Sequence, residues 1–161
     1  MLFRYLFILL ILLPIKAFAL IEVDITRGNL NPLPVAVSPL AIDKESKKNF
    51  KKILKKENLG SEISIIVENN LKQSGLFNPL NKEAFLQEPD IANLKPRFED
   101  WNLIKAQALI TGKVTFVNEK LRVEFRLWDV LAGKEMMALA FTTVPSNWRR
   151  VGHIITDKVY E

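Results

Sequence analysis

Few side chains in this sequence are suited to chemistry. The 161 residues contain one histidine, His153, and no cysteine. Thiol nucleophiles, disulfide scaffolds and cysteine-ligated zinc are therefore excluded, and with one imidazole so are most zinc hydrolase sites. His153 falls within a helical pattern near the chain end, where a lone imidazole reads as a packing or surface residue. No serine or threonine has a base beside it in sequence. Asp100, Asp129 and Asp157 are scattered, with no spacing that demands their meeting. Gly60 and Gly75 stand alone, so there is no glycine-rich phosphate loop. These residues point away from an enzyme, and no catalytic residue, cofactor, metal or small-molecule substrate is expected.

Two charged features remain. Residues 43–57 (DKESKKNFKKILKKE) hold seven lysines, with Phe50, Ile53 and Leu54 among them at helical spacing. The stretch reads as either an amphipathic helix or a solvated connector. A basic run can attract nucleic acid or anionic lipid. Apart from Phe50 it has no aromatic side chains to stack bases, and Asp43, Glu45 and Glu57 dilute it, so no nucleic-acid partner is expected. A membrane-surface role would require salt-sensitive binding to anionic vesicles. The second feature is Trp148-Arg149-Arg150. Two cations at a helix N-terminus oppose the macrodipole, so a neighbouring carboxylate or a partner should compensate them. Trp and Arg are also enriched at interface hot spots.

Residues 1–19 read MLFRYLFILLILLPIKAFA. Arg4 makes a positive start, eleven uncharged residues follow from Tyr5 to Ile15, and Ala17-Phe18-Ala19 has the small-x-small form of a cleavage site. The run is short for a bilayer span, which needs about 20 residues. We read a secretory signal cleaved after Ala19; the alternative is an uncleaved anchor. Removal of Arg4 and Lys16 lowers the net charge of +5 by two. The composition, 48% hydrophobic and 25% charged, is that of a globular domain.

Several elements must then position these residues. Leu20–Thr26 (LIEVDIT) alternates, with Ile21, Val23 and Ile25 on one side, as a half-buried strand or a strand-competent tail does. Such a tail can add to its own sheet or to a partner's. Residues 33–40 form a second apolar strand after the breakers 28–34. Leu59–Ser74 predicts a helix with Ile63, Ile66, Val67 and Leu71 on one face and Gly75 as its stop. Phe77–Leu80 is a short extended piece. Residues 82–87 suggest one or two helical turns, 88–98 a loop, and 98–103 a short helix with Trp101 on its apolar side. Residues 106–117, 121–130 and 135–144 predict a three-strand meander. In its middle strand Leu121, Val123, Phe125 and Leu127 share one face, and Arg122, Glu124, Arg126 and Trp128 the other. After Pro145, Ser146 or Asn147 caps a final helix whose stripe is Trp148, Val151, Ile155 and Val159. The order predicts an α+β two-layer sandwich: a mixed β-sheet of about five strands with two main helices on one face.

Six segments resemble a known family. They are IEVDITRG, PVAVSPL (34–40), LKQSGLFNPL (71–80), ALITGKV (108–114), LWD (127–129) and NWRRVGHIITDKVYE (147–161). In this order they resemble the periplasmic TolB proteins of the Tol–Pal system. The resemblance runs from about Leu20 to Glu161, and SGLFNPL and WRRVGHIITDKVYE are its most specific blocks.

The resemblance implies an N-terminal α/β domain, residues 32–161, without the six-bladed β-propeller that follows it in the family. It implies a monomeric, non-enzymatic periplasmic protein that supports outer-membrane invagination at cell division and outer-membrane integrity. TolA is the implied partner, through its C-terminal domain. The implied contact is the mature N-terminal segment: Leu20, Ile21, Glu22, Val23, Asp24, Ile25, Thr26, Arg27, Gly28, Asn29, Leu30 and Asn31. Of these, Ile25 and Gly28 come close to the common pattern. Pal would be reached only through the missing propeller. Trp148, Arg149 and Arg150 are then expected at the seam to that propeller. The alternative is a structural or adaptor domain of another exported envelope complex.

Overall fold

A computed structural model describes residues 31–161. The expected signal peptide and all of the tail except Asn31 lie outside the described residues. The strands are β1 (Leu33–Val37), β2 (Ala41–Ile42), β3 (Phe77–Pro79), β4 (Ala108–Val117), β5 (Lys120–Asp129) and β6 (Lys134–Thr143). The helices are α1 (Lys44–Leu54), α2 (Leu59–Gln73), α3 (Pro89–Leu94), α4 (Phe98–Leu103) and α5 (Trp148–Val159).

The sheet runs β3-β1-β4-β5-β6, and the two-residue β2 pairs with β4. β3, β1 and β4 are parallel neighbours. β4, β5 and β6 form the expected antiparallel meander. A two-residue turn joins β4 to β5: Asn118 and Glu119 both take positive φ, 49° and 61°. This is the primed turn whose twist matches that of paired strands.

The alternation predicted for β5 is present. Leu121, Val123, Phe125 and Leu127 are buried in the main core with Val35, Val37, Ile110 and Val114. Three helices cover that face, where two were expected. α2 contributes Leu59, Ile63, Val67 and Leu71, and α5 contributes Trp148, Val151 and Ile155. The third is α1. Phe50 is fully buried and meets Phe116 edge-on at 5.5 Å, which decides for a helix over a connector in the lysine stretch.

The opposite face carries a smaller cluster of Ala36, Ala92, Trp101, Ala106, Leu109 and Val130. Here the expected loop at 88–98 is partly helix. Pro89 occupies the first turn of α3, where its missing N–H costs nothing, and Pro96 lies just beyond the C-cap. The expected strand at 33–40 stops at Val37, because Pro39 cannot donate to a ladder. Asn147 does flank α5, but its side chain makes no cap bond; its amide donates to Thr143 Oγ1 at 3.2 Å.

Candidate functional site

The lysine helix is fixed to the sheet by one short polar chain. Asp43 Oδ1 accepts from Ser46 N at 2.8 Å and caps α1. Ser46 Oγ donates to Asp43 Oδ2 and accepts from Phe116 N, both at 2.8 Å. The hydrogen bond from Ser46 N holds the Asp43 carboxyl below the usual carboxylate range, helped by the Ser46 hydroxyl and by nearby Lys113. The inner row of α1 is thus Ser46, Phe50 and Leu54, and the lysines are turned outward.

Lys44, Lys47, Lys48, Lys51, Lys52 and Lys55 are exposed, and Lys56 is half-buried. Lys51 pairs with Glu57 at 2.5 Å, and its hydrogen bond holds that carboxyl below its ordinary range. Lys48, Lys51, Lys52 and Lys55 surround a shallow depression of about 420 Å³ together with Glu57. Ile53 is half-exposed in the same helix.

Lys56 joins this helix to the second charged motif. Its Nζ lies 5.2 Å from the Trp148 ring centroid and pairs with Glu62 at 2.5 Å. Arg149 Cζ lies 4.3 Å from the same centroid. Trp148 is buried, while Arg149 and Arg150 are exposed. Among the described residues, neither arginine has an ion-pair partner. The indole, through its ring quadrupole, is the counterpart of Arg149. Arg150 lines a depression between α5 and β6, with Phe141, Val151 and Ile154.

The tail of expected TolA contacts joins the domain at the other end of α5. Asn31 is exposed, and Leu33 N donates to Leu76 O at 2.9 Å. Leu33 shares an apolar depression of about 270 Å³ with Phe77, Leu127, Leu131, Met136 and Val159. At 1.5 Å per residue, Val159 is about 16 Å along the helix from Trp148. The tail junction and the basic surface are therefore separate places.

The possible catalytic groups do not converge. Asn70 donates to His153 Nδ1 at 2.9 Å and to Thr156 Oγ1 at 3.3 Å, which tethers α5 to α2. Asp100 pairs with Arg97, Asp129 accepts from Ala132 N, and Asp157 is exposed on α5. Among the described residues no group of His, Asp and Glu is placed to hold a metal ion, and no helix is long and apolar enough to cross a membrane. Sequence reading singled out the lysine run and Trp148-Arg149-Arg150 separately and missed that Lys56 joins them. The spacing of the two motifs carries no signal for it.

Residues 21–136 match the TolB amino-terminal domain. The chain is 89% identical over its whole length to the Tol-Pal system protein TolB of Pelagibacter ubique (strain HTCC1062), and it spans 36% of that relative. Among solved structures, TolB from Acinetobacter baumannii matches with a TM-score of 0.62 at 20% identity, over 80% of this chain and 27% of that one. PelC of Paraburkholderia phytofirmans, a dodecamer, matches with a TM-score of 0.52 at 16% identity, over 78% of this chain and 87% of that one. At these identities the two structures bear on the fold alone.

Proposed function

Because this chain belongs to the family of TolB amino-terminal domains, we propose that it serves as a non-enzymatic, periplasmic component of a Tol–Pal system. Its working part is the segment from Leu20 to Asn31, which docks on the C-terminal domain of TolA by adding a strand to the partner sheet. Residues 1–19 direct export and are removed after Ala19. Residues 32–161 form the domain that carries the segment, as a monomer. Contact with Pal falls to the propeller that follows in the family. Through these links the protein supports outer-membrane invagination at division and outer-membrane integrity.

The observation that carries this reading is the family match, which begins at residue 21, inside the docking segment. Two features are consistent with it. Ile21, Val23 and Ile25 alternate with Glu22, Asp24 and Thr26, as strand addition requires. The segment also leaves the domain at Asn31 and Pro32, both exposed.

Calorimetric titration of residues 20–161 into the TolA C-terminal domain tests the proposal, with the same chain lacking residues 20–31 as control. Binding that vanishes in the control is the expected result. Absence of binding by both forms overturns TolA docking by this chain and favours an adaptor of another exported envelope complex.

A further inference from the structure

We propose that the basic surface formed by α1 and the start of α5 docks on an anionic phospholipid bilayer. The charge on it is concentrated. Residues 43–57 alone hold seven lysines against Asp43, Glu45 and Glu57, in a chain whose whole net charge is +5. Among the described residues, Lys48, Lys52, Lys55, Arg149 and Arg150 form no ion pair. The fold holds these like charges together: the Asp43–Ser46–Phe116 chain fixes α1, and the Trp148 indole takes Lys56 and Arg149 on one ring. An extended anionic surface relieves their mutual repulsion and gains from every cation at once.

The remaining chemistry selects lipid over nucleic acid. The aromatic ring of α1, Phe50, is fully buried, so α1 offers no ring for base stacking. Ile53, half-exposed, shares the Phe50 side of α1, away from Lys44, Lys48, Lys51 and Lys55, so the surface meets the headgroup layer with lysine heads and their apolar stems. Phosphate headgroups are the matching ligand, and each lysine or arginine near such a surface strengthens binding about fivefold. The inference uses the export step of the reading above, but not TolA docking. It takes Arg149 and Arg150 for the lipid surface in place of the expected propeller seam.

The test is co-sedimentation of residues 20–161, which include every described element, with phosphatidylglycerol-containing vesicles and with pure phosphatidylcholine vesicles. Preference for the anionic vesicles by at least about tenfold, lost at high salt, is expected. Lys48→Glu, Lys52→Glu, Lys55→Glu and Arg150→Glu together should abolish the preference at unchanged melting temperature. Reversal of Lys72, Lys95, Lys105 and Lys120 makes the same change in net charge and should retain most of it. Equal binding to both vesicle types overturns the proposal, as does equal loss from the two sets of reversals. Binding to soluble polyphosphate without binding to vesicles overturns the lipid assignment. Deletion of residues 20–31 should leave vesicle binding intact, so this result stands or falls separately from TolA docking.

Discussion

Lys56, just beyond α1, reaches over the indole of Trp148 at the start of α5, 5.2 Å from Nζ to ring centroid. The same ammonium pairs with Glu62 in α2, so one side chain in the α1–α2 connection ties α2 to α5. Arg149 shares the ring at 4.3 Å. The buried indole thus serves both as core and as the base of a charged surface.

Trp148→Ala should therefore cost about 3–5 kcal/mol, the usual loss for a buried tryptophan. Lys56→Met removes only the partly exposed cation and should cost about 1 kcal/mol or less. Urea unfolding followed by circular dichroism separates the two. Equal losses would show that the ion pair, not the indole, holds the helices together.

The Asp43 cap makes stability depend on pH in the acid range. Its carboxyl is held low by the Ser46 N–H, so the folded state favours the ionised form. That contribution is complete above about pH 4–5 and is lost as pH falls through the lowered folded value. Asp43→Asn keeps a capping oxygen and should flatten this part of the profile with little loss at pH 7. Asp43→Ala should lose about 1 kcal/mol at pH 7. Melting temperatures between pH 3 and pH 7 provide the check.

Gly60 in the first turn of α2 lies against the Leu40 carbonyl, and a methyl built there would stand 2.0 Å from that oxygen. Leu40 N also donates to Gly60 O at 3.4 Å, so neither strand end nor helix can move away freely. Gly60→Ala should destabilise by about 1–3 kcal/mol through overpacking, despite alanine's better helix propensity. A gain in urea midpoint would refute the close approach.

Gln87 Oε1 accepts from Trp101 Nε1 at 2.8 Å and from Arg97 N at 3.1 Å inside the second cluster. Gln87→Ala strands both donors and should cost about 1–3 kcal/mol for each. The indole N–H resonance of Trp101 should shift and exchange faster with solvent. An unmoved resonance would place the bond elsewhere.

Much of the fold was legible because its strands and two main helices carry strong periods. β5 alternates cleanly from Leu121 to Leu127, and Ile63, Val67 and Leu71 repeat at helical spacing in α2. α3 was not legible, because Pro89 and Pro96 read as loop signals in isolation. Whether a proline breaks a helix or begins one depends on where the helix starts, and Ala92 packing on Trp101 and Leu109 helps to decide that. The lysine stretch was ambiguous for a similar reason. Its inner row begins with Ser46, a polar residue buried only because it bridges Asp43 and Phe116.

By itself the sequence determined the α+β class, the meander, the shortage of catalytic groups and the family to which the chain belongs. The class and the meander rest on local period, the shortage on composition, and the family on the resemblance of ordered blocks such as SGLFNPL and WRRVGHIITDKVYE; none of these needs knowledge of distant neighbours. Tertiary structure alone decided that Lys56, at the end of the lysine run, meets Trp148 beside Arg149, and that this place is remote from the tail junction at Leu33. Both outcomes depend on how α1, α2 and α5 are laid across the sheet. That packing is set by buried contacts between residues far apart in the chain, and no spacing within either motif encodes it.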